Sequence, residues 1–166
     1  MKKSTSYLTR AAIIAAIYTL LTVIFQPISF GAVQFRVSEA LTLLPVLFPE
    51  AIPGLFVGCI MANLFGGGIW YDVALGSVAT LLAALCARKF RSRPLLSAAM
   101  PVVFNGIIVG PLVYFAYIRP AGAPVNWVTL YTSIGTVALG EAVVCYVLGL
   151  LLLKCLRRLP EKYLNP

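Results

Sequence analysis

Apolar residues run along this chain in six blocks, and Pro, Gly and clustered basic residues separate them. The first block covers residues 8–26 and stops at Pro27, where Pro27, Ser29 and Gly31 mark a turn. The second, 37–48, carries Glu39 near its start and Pro45 inside it, and Pro49 follows it. The third, 52–68, opens with Pro53-Gly54 and runs into Gly66-Gly67-Gly68. The fourth, 73–88, ends in a basic run from Arg88 to Arg93, and the fifth, 95–118, contains Pro101, Asn105, Gly106, Gly110 and Pro111. The sixth, 127–153, holds one acid, Glu141, and closes on Lys154, Arg157 and Arg158. A bilayer crossing takes roughly 20 helical residues, so the second block is too short to cross alone and the third is broken at both ends. Short, interrupted helices survive at membrane depth only where they pack in protein or line a polar cavity. This pair therefore points to a site nearby.

Composition fixes the solvent. Of the 166 residues 61% are hydrophobic and 11% charged, with a mean hydropathy of +0.96, whereas a soluble domain carries about a quarter of its residues charged. The expected fold is an all-α integral membrane protein, one domain over residues 1–166 with six transmembrane helices, the second and third short and irregular. The start, Met1-Lys2-Lys3, could pass for a signal peptide, but the apolar run continues to Phe25 with no small-residue cleavage site, so a retained first helix is expected. Six spans put both termini on one side. Lys2, Lys3, Arg10, Arg88, Lys89, Arg91, Arg93, Lys154, Arg157, Arg158 and Lys162 fall at that face and only Arg36 and Arg119 at the other, which makes the termini cytoplasmic. The net charge of +8 thus orients the protein; no basic stripe interleaved with aromatics points to nucleic acid.

Several chemistries drop out. With no histidine there is no HExxH metal site, and the chain has neither a GxSxG elbow nor a GxxxxGK[ST] phosphate loop. No catalytic residue, metal or cofactor is expected, and the chain has no ATP site of its own. Cys59, Cys86, Cys145 and Cys155 lack CxxC spacing and read as small core hydrophobes.

What remains is a small set of non-cytoplasmic polar residues: Gln34, Arg36, Glu39, Asn63, Asp72, Asn105, Arg119, Asn126 and Glu141. A charged side chain at the bilayer centre costs about 2.5 to 3.5 kcal/mol, so these need partners or a ligand. Glu141 lies near mid-membrane in the last span and is either a structural hydrogen-bonding group or a ligand-binding carboxylate. Arg36 and Glu39, three residues apart, share a helix face and either pair or bind. Asp72 follows the glycine run at a helix start, where capping and ligand binding can coexist. The Asn105 amide has more hydrogen-bonding sites than helix neighbours readily fill. Trp70, Tyr71 and Trp127 fit an interfacial aromatic belt or a stack against a flat ligand. Small-residue pairs recur as Ala11/Ala15 and Ala12/Ala16, Gly54/Gly58 and Gly106/Gly110, spacings that let helices approach closely. The first-span pairs lie on a helix with no charged residue between Arg10 and Phe25, a candidate contact for another membrane protein.

The blocks FGAVQFRVSEALTLLP from Phe30 to Pro45, AIPGLFVGCIMAN from Ala51 to Asn63 and DVALGSVATLLAA from Asp72 to Ala84 resemble the QueT family of queuosine-precursor transporters. PVVFNGIIVG from Pro101 to Gly110 and GEAVVCYVLG from Gly140 to Gly149 extend the resemblance. It implies a substrate-binding S component of an energy-coupling factor (ECF) ABC importer in the bacterial cytoplasmic membrane. Such a subunit has six helices and a pocket near the outer face, and it hydrolyses no ATP. Its partners are a transmembrane T component and two ABC-type ATPases. The resemblance further implies that Ala11, Ala12, Ala15 and Ala16 match the docking pattern for the T component, in one of two overlapping registers.

The implied cargo is a 7-deazaguanine such as preQ1, preQ0 or queuine. Its base edge presents an N1–H and an amino group to a carboxylate and a carbonyl oxygen to an amide or Arg donor. Glu39 or Glu141 would read that edge and another acid would meet the amine of a cationic precursor. Asn105 and Asn63 would supply amide contacts, Trp70, Tyr71 or Trp127 would stack on the base, and Gln34, Arg36 and Asp72 complete the candidate set. An S component for a pterin, folate, flavin or thiamine, a small membrane enzyme, and a structural subunit are the other readings.

Overall fold

The structure, a computed structural model, describes residues 2–29 and 35–159. Among these, every regular element is helical: α1 (Lys2–Ile24), the single turn α2 (Gln26–Ser29), α3 (Val37–Val46), α4 (Ala51–Phe65), α5 (residues 70–89), α6 (Pro94–Ile118) and α7 (Trp127–Leu156). Three stretches are long and apolar enough to cross a membrane, namely Thr5–Ile24, Pro94–Ile118 and Trp127–Leu156. The 25 and 30 residues of the last two make about 38 and 45 Å of helix.

The second block does not form an α-helix. Its ten residues wind as a 3₁₀ helix, a form seldom sustained beyond three or four residues. At about 2 Å per residue it spans roughly 20 Å, short of a crossing. Pro45, inside it, has no N–H to donate to an α ladder. Its surroundings account for its survival: Ser38, Glu39, Ala40, Thr42, Leu43, Leu44, Pro45 and Val46 are all buried. Protein on every side replaces the water and lipid that a marginal helix would otherwise face. Arg88 Nη1 donates to the Pro45 and Val46 carbonyls at 2.9 and 3.2 Å, closing the C-terminal end of α3, where unpaired carbonyls favour a cation.

The third block begins at Ala51, with Pro53 in its first turn, and ends at Phe65. The glycines after it turn the chain, and Gly67 takes φ +77°, a conformation open to glycine at little cost. Three later helices carry wider π turns: Asp72–Gly76 in α5, Asn105–Val109 and Tyr114–Ile118 in α6, and Val144–Gly149 in α7. Two of these turns include residues from the polar set, Asp72 and Asn105, in keeping with the frequent placement of π turns at functional sites.

Glycine decides which helices touch. A Cβ on Gly54 would lie 2.7 Å from the Ala11 carbonyl oxygen, and one on Gly58 would lie 3.0 Å from that of Ala15. The backbones of α1 and α4 therefore meet along a small-residue seam, and Thr19 Oγ1 donates to the Gly58 carbonyl at 3.1 Å. Gly110 and Ile134 form a similar approach between α6 and α7, with Ser133 Oγ donating to the Gly110 carbonyl at 2.8 Å. One end of the bundle is basic and is fastened by the Arg10–Glu50 ion pair at 3.1 Å. At the opposite end Gln26 Nε2 donates to the Gly66 carbonyl at 3.0 Å.

Gly54→Val should push α1 and α4 apart and cost about 1 to 3 kcal/mol, the usual range for overpacking a tight contact. A lowered melting temperature in detergent, beside an unchanged one for Val57→Ala at a position exposed on the same helix, is the expected reading.

Candidate functional site

The α3 segment sets the site's geometry. In a 3₁₀ helix residues three apart eclipse one another, so Arg36 at its N-terminal boundary, then Glu39 and Thr42, follow one edge of the element. Glu39 is fully buried, and the hydroxyl of Tyr18, from mid-α1, donates to its Oε1. Thr80 from α5 and Asn105 from α6 stand within reach of the same carboxyl. Glu141 from α7 lies within electrostatic range of both Glu39 and Arg36, with Asn105 beside it and the Cys145 thiol 3.9 Å from its Oε2. Five helices thus each contribute a side chain to one buried group centred on two carboxylates and one guanidinium.

From this group a polar column leads toward the end opposite the Arg10–Glu50 pair. Arg36 Nη2 donates to Asn63 Oδ1 at 3.5 Å and Nη1 approaches Cys59 Sγ at 4.0 Å. Asn63 Nδ2 in turn donates to the main-chain oxygen of Asp72 at 3.1 Å. The Asp72 carboxylate accepts from the Ile69 backbone N–H at 3.0 Å, satisfying a donor at the start of α5 in the manner of a capping box. The Tyr117 hydroxyl, from the last turn of α6, donates to the same Oδ2. Asp72 therefore does cap its helix and, in the same position, ties α5 to α6.

Arg36, Glu39, Asn63, Asp72, Asn105 and Glu141 are all buried and lie along this column. Gln34 lies outside the described residues. The aromatic candidates stand apart: Trp70 is 66% exposed, Tyr71 44% and Trp127 62%. Trp70 stacks on Tyr71 at 3.7 Å, and Trp127 faces Tyr131 at 6.4 Å. Asn126 caps α7 by accepting from the Thr129 N–H at 3.1 Å, and Arg119 donates to the Ala123 carbonyl. The alanine pairs divide. Ala11 and Ala15 are buried against α4, while Ala12 and Ala16 are exposed. Ala15 and Ala16 both line an open apolar groove of about 640 Å³ together with Thr19, Leu20, Val23, Met61 and Phe65, and Ala12 lies outside it.

Tyr18, Thr80, Tyr117 and two of the cysteines were not among the sequence candidates. Cys59 Sγ lies 3.4 Å from both Asn63 Nδ2 and Thr80 Oγ1, and Cys145 faces Glu141 and Thr42, so both belong to the polar group as weak partners rather than to a purely apolar core. For Tyr18 a signal did exist. Ala11, Ala15, Tyr18 and Thr22 are spaced four, three and four residues apart, and all four are buried, the stripe of a helix face turned inward.

The buried group is incomplete on its own terms. Glu39 Oε2 and Asn105 Nδ2 have no hydrogen-bond partner although both are buried, and such groups in a native structure call for an explanation. Asn105 is the clearest case, since it stands beside both carboxyls yet its Nδ2 completes no hydrogen bond to either. A flat molecule offering donors to the carboxylates and an acceptor to the amide would satisfy these atoms together.

Fold and site define a multi-pass helical membrane protein that gathers its polar groups inside the bundle. The sequence matches the QueT transporter family over residues 8–158, and the chain belongs to that family. One relative, the queuosine precursor transporter QueT of Lactococcus lactis subsp. cremoris, is 39% identical over 85 residues. That alignment covers 49% of this chain and 50% of the relative, so the chain spans about half the length of the relative it matches. No solved structure matches the chain.

Tyr18→Phe removes the hydroxyl from Glu39 without changing shape elsewhere. It should destabilise the protein by about 1 to 3 kcal/mol, the cost of leaving a buried acceptor unpaired, and thermal unfolding in detergent checks this.

Proposed function

We propose that this chain is the substrate-binding S component of an ECF-type ABC importer in the bacterial cytoplasmic membrane, and that it captures a queuosine precursor with a 7-deazaguanine base. The observation that carries the reading is the set of unpartnered buried atoms on Glu39 and Asn105 within a group held by five helices. A guanine-like edge carries an N1–H and an amino group suited to a carboxylate acceptor, beside a carbonyl oxygen suited to an amide donor. The similarity to the queuosine precursor transporter of Lactococcus supports the choice of cargo. Arg36, Asn63 and Asp72 would line the approach from the outer face.

The energy for uptake would come from a T component and two ABC-type ATPases. For docking, Ala12 and Ala16 would supply the contact: they face outward, whereas Ala11 and Ala15 pack against α4, Ala15 also edging the groove. The adjoining groove is apolar, with Ala15, Ala16 and Thr19 along its α1 side and the larger Met61 and Phe65 along its α4 side; the small residues suit a second membrane helix approaching closely.

Equilibrium binding of 7-deazaguanine precursors to the purified chain tests the cargo. Glu39→Gln and Glu141→Gln should each weaken binding by about tenfold or more, as expected when a charge-assisted contact is lost; wild-type affinity in both variants would defeat the site assignment. Ala12→Leu with Ala16→Leu should abolish copurification with a coexpressed T component and ATPases while precursor binding by the isolated chain persists.

A further inference from the structure

The charges in the buried group do not balance. Facing one another are Glu39 and the adjoining Arg36 at α3, Glu141 and Cys145 from α7, Tyr18 from α1 and Cys59 from α4, with the neutral side chains of Thr80 and Asn105 from α5 and α6. With thiols and phenol neutral, two carboxylates stand against one guanidinium. The next acid, Asp72, lies beyond Asn63 and is already engaged by the Ile69 N–H and the Tyr117 hydroxyl. Among the described residues one buried carboxylate is therefore without a compensating charge, an imbalance that a cationic ligand would remove.

The two acids are supported unequally. Glu39 receives the Tyr18 hydroxyl, and it follows Arg36 closely along α3. Beside Glu141 stand the Asn105 amide and the Cys145 thiol, the latter at 3.9 Å, and a thiol is a weak donor. Glu141 is the acid less able to hold a charge, while Glu39 Oε2 and Asn105 Nδ2 offer an unpartnered acceptor and donor for a base edge.

We infer that the site is built for a cation and exchanges a proton for it: Glu39 and Asn105 read the base, and the Glu141 carboxyl gives up its proton to solvent as it receives a protonated amine carried on the base. The inference rests on the 7-deazaguanine reading above and narrows it to precursors with an alkylammonium arm, against those whose substituent is neutral. It assigns Glu141 to the amine and leaves Glu39 to the ring. The protonated amine brings one positive charge and the departing proton removes one, so the buried group keeps the same net charge when occupied. Because the aliphatic amine stays protonated through neutrality, the exchange has a fixed sign. Affinity rises with pH while the free site still holds its proton and levels off once the carboxyl ionises in the free protein.

The test compares 7-aminomethyl-7-deazaguanine with 7-cyano-7-deazaguanine on the purified full chain in detergent or nanodiscs. Calorimetry in buffers of different ionisation enthalpy between about pH 5.5 and 8 counts the protons released. The aminomethyl compound should bind at least about tenfold more tightly, release up to about one proton per molecule bound, and gain up to about tenfold in affinity per pH unit at the acid end. The cyano compound should bind with no release. In Glu141→Gln both the release and the preference for the cation should vanish. Equal or tighter binding of the cyano compound, or cation binding without proton release, overturns the inference and leaves the 7-deazaguanine reading standing. Release retained in Glu141→Gln overturns the assignment to that acid. If folded protein binds neither compound, the 7-deazaguanine reading fails and the inference fails with it. The comparison of the two compounds on the unaltered chain decides the matter even where a variant does not fold.

Discussion

A carboxyl group in the middle of a bilayer protein must find its donors inside the protein, because lipid supplies none. Glu39 is the residue on which this constraint falls hardest: it is completely buried, on the element least able to stand alone. Tyr18 supplies its hydroxyl only because α1 lies close to the centre, and α1 lies close because Gly54 and Gly58 on α4 carry no side chains to keep it away. The small-residue seam is thus more than a packing device. It sets the distance across which a phenol reaches a buried acid.

The irregular helices serve the same constraint. A 3₁₀ turn brings residues three apart into line, which puts Arg36, Glu39 and Thr42 along one edge with their polar ends available to neighbouring helices. The π turns at Asp72–Gly76 and Asn105–Val109 occur where polar residues must face inward from otherwise apolar helices. In a bilayer such departures need protein around them, and α3 meets that need by being buried along nearly its whole length. The helices α1, α6 and α7 are long and apolar enough to span the bilayer, so the short α3 is not required to cross it.

Much of this was legible in the sequence, for physical reasons that differ by residue. The bilayer, the helical fold and the shortness of the second block follow from hydropathy and length. That Arg36, Glu39, Asn105 and Glu141 need polar neighbours follows from the cost of burying them. The capping role of Asp72 was visible in its position after three glycines. The 3₁₀ winding of α3 was not, because it depends on the burial that surrounds it. Nor were the roles of Cys59 and Cys145: a cysteine is nearly as apolar as alanine by composition, and only its neighbours show whether its sulfur meets methyl groups or amides. The aromatics are ambiguous for a similar reason. Trp70, Tyr71 and Trp127 look suited to stacking on a base, yet all three are exposed, and lipid-facing and ligand-facing aromatics are alike in sequence.

The two alanine registers show where sequence and structure divide the labour. Ala11 and Ala12 are adjacent, as are Ala15 and Ala16, so spacing alone gives no preference between them. Packing does: Ala11 and Ala15 continue into Tyr18 and Thr22 on the buried face, and Ala12 and Ala16 face away. A helix with small residues on both faces can hold its own bundle with one and meet another membrane protein with the other. Because the inward face also carries the Tyr18 hydroxyl that supports Glu39, a rigid shift of α1 caused by a partner on the outward face would move a donor of the buried site. Occupancy of the site would, by reciprocity of coupling, change affinity for that partner. On the proposed reading, cargo and energising partner are linked through a single helix about 10 to 12 Å across with its side chains, with no relay of intermediate contacts required.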